Sequence, residues 1–219
     1  MINNIIFDFD GVLVDSEILV ARAFTKYMNN FGFPFEEKEF SKFAGFKTVQ
    51  VISILADRFT IKNEKKFYDE IMNIATNIYL NELETVKGAY KFVQDSNLNL
   101  FIGSNSLKIR ILDGLKKVKL DEFFKPSQIY SYDMVKMPKP NPDIYLKAIY
   151  ENGLNKKETV IIEDSIVGVK AGVAADIKVI GITAGGHWYK ERSNKELYEA
   201  GASEVIDTYS KLMPLIERY

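Results

Sequence analysis

MINNIIFDFDGVLVDSE, residues 1–17, opens the chain. Residues 2–7 are rich in isoleucine and end at a polar turn, which predicts a buried strand. Asp8 and Asp10 follow at once, two residues apart, with Gly11 behind them. In an extended chain such a pair shares one face. Two carboxylates side by side repel, so the stretch asks for something that makes their proximity tolerable.

The pattern of the first strand recurs along the chain. Short apolar runs lie at 98–103, 128–131, 159–164, 177–183 and 203–207, and helical segments separate them. Asn141 is placed to cap one helix, with Pro142 in its first turn and Gly153 closing it, and Ser165 starts another that runs to Ala175. Strands separated by helices of this length predict right-handed crossovers and an α/β fold with a parallel sheet. One stretch departs from the alternation. From Ser16 to Glu84 the apolar stripes are helical: Val20, Phe24, Tyr27, Met28 and Phe31, then Ile52, Leu55, Ala56 and Phe59, then Phe67, Ile71, Ile74, Ala75 and Ile78. The expected organisation is an α/β core of residues 1–15 and 85–219, interrupted by a helical module over 16–84.

Bulk composition narrows the class. The 219 residues are 47% hydrophobic and 27% charged, with a formal net charge of −1, which points to no broad attraction to nucleic acid or an anionic membrane. There are no cysteines, so disulfides, thiolate catalysis and cysteine zinc sites are excluded. No basic segment precedes an apolar one at the start, and no apolar run approaches the ~18 residues of a bilayer span. A soluble, cytoplasmic monomer is the expectation.

Ligands of open parallel sheets bind beyond the carboxyl ends of the strands. The first strand ends in Asp8 and Asp10, the second in Gly103-Ser104-Asn105-Ser106, and the fourth in Glu163-Asp164. Lys139 stands between two prolines just before the helix at Asn141. Each alone has a plain structural reading: turn former, helix cap or solvated lysine. Together they match a hard cation, which takes carboxylate oxygens, and a phosphate, which takes a hydroxyl, backbone N–H groups and an ammonium.

FDFDGVLVDSE, Ser104, the KPNPD around Lys139 and IIEDS at 161–165 together resemble the haloacid dehalogenase superfamily of phosphohydrolases. The resemblance spans nearly the whole chain and is nearest the β-phosphoglucomutase-like and sugar-phosphatase branch. It implies a Rossmann-like core with an inserted helical cap, Mg²⁺ as cofactor, and a small phosphorylated metabolite as substrate. Asp8 would be the nucleophile and Asp10 the general acid and base. Ser104, the Asn105 amide and Lys139 would hold the phosphoryl oxygens. The metal would be held by Asp8, the Asp10 carbonyl and Asp164, with Glu163 nearby or ligating. Lys136 is a rival for Lys139, which is preferred because it directly precedes the Pro-x-Pro-Asp pattern. His187, the one histidine, is expected in a surface loop.

The resemblance also assigns a specificity loop to residues 42–48 of the cap, where Gly45 permits a tight turn and Lys47 can reach the substrate. Two mutase features are missing. Val20 stands where those mutases carry a histidine, and the arginine expected two residues after Lys47 is absent, Val49 standing there instead. Hydrolysis of a sugar or sugar-acid phosphate is therefore the leading expectation. A phosphosugar mutase is second. A phosphorylation-switched signalling module is third, disfavoured by the helical insert and the Asp8-x-Asp10 pair.

Overall fold

The structure, a computed structural model, describes residues 1–43, 48–190 and 192–219. Along the chain come β1 (Asn4–Phe7), α1 (Glu17–Asn30), a 3-10 turn (Glu37–Phe43), α2 (Thr48–Phe59) and α3 (Glu64–Glu82). Next are α4 (Ala89–Asp95), β2 (Asn99–Ser104), α5 (Lys108–Lys117), β3 (Ile129–Ser131), α6 (Asp143–Asn152), β4 (Thr159–Glu163) and α7 (Ile166–Ala174). The chain finishes with β5 (Lys178–Ile182), α8 (Lys195–Glu199), β6 (Glu204–Ile206) and α9 (Leu212–Ile216). The chain divides into two compact units, residues 1–15 with 84–219, and residues 16–83.

In the first unit, six strands form one parallel sheet in the order β3-β2-β1-β4-β5-β6. This is the α/β, Rossmann-like core expected from the alternating apolar runs. β1 and β4 are buried along their whole length because helices cover both faces, which is why they read as unbroken apolar runs. One core cluster gathers Ile6, Phe101, Tyr130, Ile144, Tyr145, Ile161 and Val169 from strands and helices alike. Since β1 is central, with β2 on one side and β4 on the other, the ends of these three strands lie together. The strand order reverses here, the position where such sheets bind ligands.

Helix ends follow the expected chemistry with one correction. Ser165 caps α7 by accepting the Gly168 N–H at 3.1 Å, and Gly153 closes α6 in the left-handed conformation. Asn141 does not cap α6. The N-cap is Pro142, and the Asn141 side chain donates instead to the Pro138 carbonyl at 3.1 Å, tightening the loop that carries Lys139.

In the second unit, all regular structure among the described residues is helical. Phe67 of α3 packs against Phe24 and Tyr27 of α1, with ring centroids 6.5 and 5.0 Å apart, and Ile71 and Ile78 are buried beside it. Each such buried side chain is worth about 1.5–3 kcal/mol, enough to hold a small bundle. Phe31 leaves the expected stripe: it lies past the end of α1, exposed but stacked on Tyr27 at 4.6 Å. No helix among the described residues is long and apolar enough to cross a membrane. Gly45 and Lys47, expected to contact substrate, lie outside the described residues.

Candidate active site

Asp8 directly follows β1 and its N–H continues the ladder to the Ile162 carbonyl at 2.9 Å, so its backbone is fixed by the sheet. Only 8% of the residue is exposed. The chain then turns tightly: the N–H of Gly11 donates to the Val14 carbonyl at 2.8 Å, and Gly11 has φ +78°. A side chain at Gly11 would overlap the Asp164 carboxylate, so a close approach as well as a positive φ requires glycine there. The turn takes Asp10 off the strand, and the two aspartates find different partners.

Asp8 turns to Lys139. The ammonium lies 2.7 Å from Asp8 Oδ1 and 2.6 Å from Glu163 Oε1, with 3% of its side chain exposed. Its backbone is gripped by Asn105, whose side-chain amide donates to the Lys139 carbonyl at 3.1 Å and accepts the Lys139 N–H at 3.0 Å. The Lys139–Pro140 peptide is cis. Lys136 is exposed, three residues away.

Glu163, the last residue of β4, is fully buried. Oε1 accepts from Lys139 and from the Tyr145 hydroxyl at 2.7 Å, and the Lys139 Nζ lies 4.7 Å from the centre of the Tyr145 ring. Oε2 accepts the N–H groups of Asp164 and Ser165 at 3.1 and 3.3 Å and the Ser165 hydroxyl at 3.0 Å. Protein donors therefore engage both oxygens. A side chain at Gly168 would overlap this carboxylate.

Asp164 is buried beside Gly11, and His187 Nε2 lies 2.9 Å from its Oδ2. Asp8, Glu163 and Asp164 each present an oxygen within 4.8 Å of the others. Burial first of all drives the Asp8 carboxyl well above the usual carboxylate range; Glu163 and Asp164 add to this and Lys139 opposes it. Asp164 is likewise pushed well up, by burial and then by Glu163. Burial alone would lower the Lys139 ammonium, yet Asp8 and Glu163 together hold it above its ordinary value. Three buried carboxylates share one buried ammonium, with the Arg192 guanidinium also opposing the shift at Asp164.

Asp10 takes different partners. Its Oδ2 accepts from the Ser106 hydroxyl, and its Oδ1 pairs with Arg110 of α5 at 2.9 Å. Ser104, at the end of β2 and 1% exposed, accepts the Ser106 N–H at 3.0 Å.

The expected residues Asp8, Lys139, Glu163 and Asp164 thus come together in direct contact, with Asn105 supporting Lys139, and Asp10 and Ser104 joined through Ser106. Tyr145, Arg110 and His187 were not expected here. His187 corrects the surface-loop expectation: it lies beyond the carboxyl end of β5 and pairs with Asp164. The rule applied to strands one, two and four would have found it if carried to the fifth.

The sequence of residues 5–182 matches the family described as haloacid dehalogenase-like hydrolase. A phosphorylated carbohydrates phosphatase of Thermotoga maritima is 27% identical over 208 residues, covering 92% of this chain and 93% of that protein. A 6-phosphogluconate phosphatase of Escherichia coli is 24% identical over 188 residues, 85% of each. A hydrolase of the same family from Deinococcus radiodurans, solved with bound phosphate and sodium, superposes with a TM-score of 0.87 at 26% identity over 99% of this chain and 96% of that one. With the matched segment running from β1 to β5 and including Asp8, Ser104, Lys139, Glu163 and Asp164, the chain belongs to the haloacid dehalogenase-like hydrolases.

Proposed function

We propose that the protein is a Mg²⁺-dependent phosphatase that hydrolyses a small phosphorylated metabolite, a sugar or sugar-acid phosphate, through an aspartyl-phosphate on Asp8. The observation that carries this reading is the buried Asp8 carboxylate, paired with Lys139 and flanked by Glu163 and Asp164. The similarity to phosphatases of phosphorylated carbohydrates and of 6-phosphogluconate supports the substrate class.

The donor set suits a hard divalent cation: oxygens only, from crowded, buried carboxylates. Asp8 and Asp164 would hold it, with the Asp10 carbonyl, while Glu163 is chiefly the counter-ion of Lys139. When bound there, Mg²⁺ would offset the charge of Asp8 and of the phosphate and act as a Lewis acid toward the phosphoryl group.

In the first step an Asp8 oxygen attacks phosphorus in line. The bond to the leaving oxygen breaks, its electron pair stays on that oxygen, and Asp10 supplies the proton. In the second step a water oxygen attacks the same phosphorus, Asp10 takes the water's proton, and Asp8 departs as carboxylate. Lys139 donates to phosphoryl oxygens as their charge redistributes. Ser104 already accepts the Ser106 N–H, so its hydroxyl proton is what it offers the phosphate. The helical unit serves in this reading as the cap that selects the leaving group. Val20, a half-buried valine of α1, stands where those mutases carry a histidine, which favours hydrolysis over mutase chemistry.

Phosphate release from a panel of sugar and sugar-acid phosphates, with and without chelator, tests this directly. Activity is expected only with Mg²⁺ and only with Asp8 intact. Normal turnover by Asp8→Asn, or full activity in excess chelator, would overturn it.

A further inference from the structure

The reading above requires Asp10 to give a proton in one step and take one in the next, so its carboxylate must stay in one place through both. Asp10 is the first residue of a turn and its side chain has two free torsions, which on its own would let the carboxylate wander. Two groups prevent this, one on each oxygen: the Ser106 hydroxyl on Oδ2 and the Arg110 guanidinium on Oδ1 at 2.9 Å. Ser106 follows β2, the strand paired with β1, and Arg110 sits in the first turn of α5, so both are carried by elements anchored to the sheet.

We propose that Arg110 is a positioning residue for Asp10, acting with Ser106 to hold the general acid and base in its working orientation. A carboxylate has about four lone-pair sites, more than the Ser106 hydroxyl and one Arg110 nitrogen fill. The clamp therefore orients Asp10 without consuming it. It also gives the two aspartates different partners, since Asp8 is held by Lys139. The 2.9 Å contact to Asp10 Oδ1 is made by Nη2 of the guanidinium, a contact that a lysine can replace in part. A bland alternative exists: the Arg110 side chain is 42% exposed, and exposed ion pairs contribute little to stability. A second alternative is that Arg110 touches the substrate. The proposal rests on the phosphatase reading, and the test separates the two.

Arg110→Ala, Arg110→Lys, Ser106→Ala and Asp10→Asn would be compared by steady-state kinetics and by rapid acid quench for aspartyl-phosphate, using p-nitrophenyl phosphate and the best metabolite. General acid–base catalysis supplies roughly 10²–10⁴-fold, and losing its alignment should cost part of that. The expected result for Arg110→Ala is a kcat lower by ~10–100-fold with KM changed less than about threefold. Arg110→Lys should recover most of the loss, and Ser106→Ala should show the same split as Arg110→Ala. With p-nitrophenyl phosphate the leaving group needs no acid while the water still needs a base, so aspartyl-phosphate should accumulate above the wild-type level. Unchanged kinetics would make Arg110 a surface ion pair, and a raised KM with unchanged kcat would make it a substrate contact; either overturns the proposal. If Asp10→Asn neither slows turnover nor accumulates the phosphoenzyme, the role of Asp10 fails and the proposal falls with it. If Asp10→Asn behaves as expected and Arg110→Ala does not, the proposal alone fails.

Discussion

Replacing Lys139 with methionine removes the single ammonium from a pocket of three buried carboxylates while keeping the length of the chain. In the native structure that ammonium is 2.7 Å from Asp8 and 2.6 Å from Glu163, almost wholly out of water. Removing one partner of a buried ion pair costs about 3–5 kcal/mol, because the remaining charge stays desolvated. Against a total stability of ~5–15 kcal/mol this is a large fraction. For a chain of this size each kcal/mol moves Tm by about 2–4 °C, so a drop of roughly 6–20 °C is expected in chelator at neutral pH. The pH dependence has a definite sign. The Lys139 ammonium is held above its ordinary value, so its contribution is fully present at neutral pH and is lost only as pH rises through that raised value. Asp8 and Asp164 are also raised, chiefly by burial, so the fold is most stable with them protonated and loses that stability as pH rises through their raised values. Lys139→Met raises them further. The gap between wild type and variant should therefore narrow as pH falls toward the acid range, where protonated carboxyls need no counter-ion. Mg²⁺ should stabilise the variant more than the wild type. Thermal melts at several pH values, with chelator and with Mg²⁺, measure all of this. A loss below ~2 °C, or a loss of the same size at every pH, would refute the reasoning.

Gly11→Ala should cost at least ~1–2 kcal/mol from the left-handed φ alone, and the added methyl would displace the Asp164 carboxylate. Calorimetric titration should show Mg²⁺ affinity falling tenfold or more, and an unchanged affinity would contradict the placement of Asp164. Ca²⁺, which accepts more ligands with looser geometry, should compete with Mg²⁺ and inhibit, since it can engage both Asp8 oxygens and leave neither to attack. Full activity in Ca²⁺ with Mg²⁺ removed would contradict that. Mg²⁺ binding should release protons and weaken as pH falls through the raised values of Asp8 and Asp164, and a pH-independent affinity would argue against both as ligands.

The parts of the site that could be read from the sequence are those tied to strand ends. A parallel strand buried on both faces is a bare apolar run, so the polar residue that ends it stands out; Asp8, Ser104 and Asp164 all became visible this way. The helical insert was legible for a similar reason, since its stripes at Phe24, Tyr27, Phe67 and Ile71 carry the helical period. Residues that support the site from within helices were hidden. Tyr145 lies on the apolar stripe of α6 and reads as core, although its hydroxyl is the group that reaches Glu163. Arg110, in the first turn of α5, reads as a solvated cation, because nothing in its spacing shows that β1 and β2 bring Asp10 beside it. Asp8 and Asp10 were expected on one face because an extended backbone was assumed to continue past the strand to Asp10; the turn at Gly11 ends it, and each aspartate has its own partners.

If an Asp8 oxygen attacks phosphorus, a trapping experiment on Asp10→Asn should capture Asp8 in its phosphorylated form. Without Asp10 to activate water, the second step should stall and the phosphorylated protein should persist long enough to quench. Borohydride reduction of an aspartyl-phosphate converts that residue to homoserine, which peptide sequencing by mass spectrometry places to the residue. Homoserine at position 8, formed only when substrate and Mg²⁺ are both present, is the expected result. Turnover that proceeds with Asp8 unmodified, or a reduced residue at any other position, would contradict attack by Asp8.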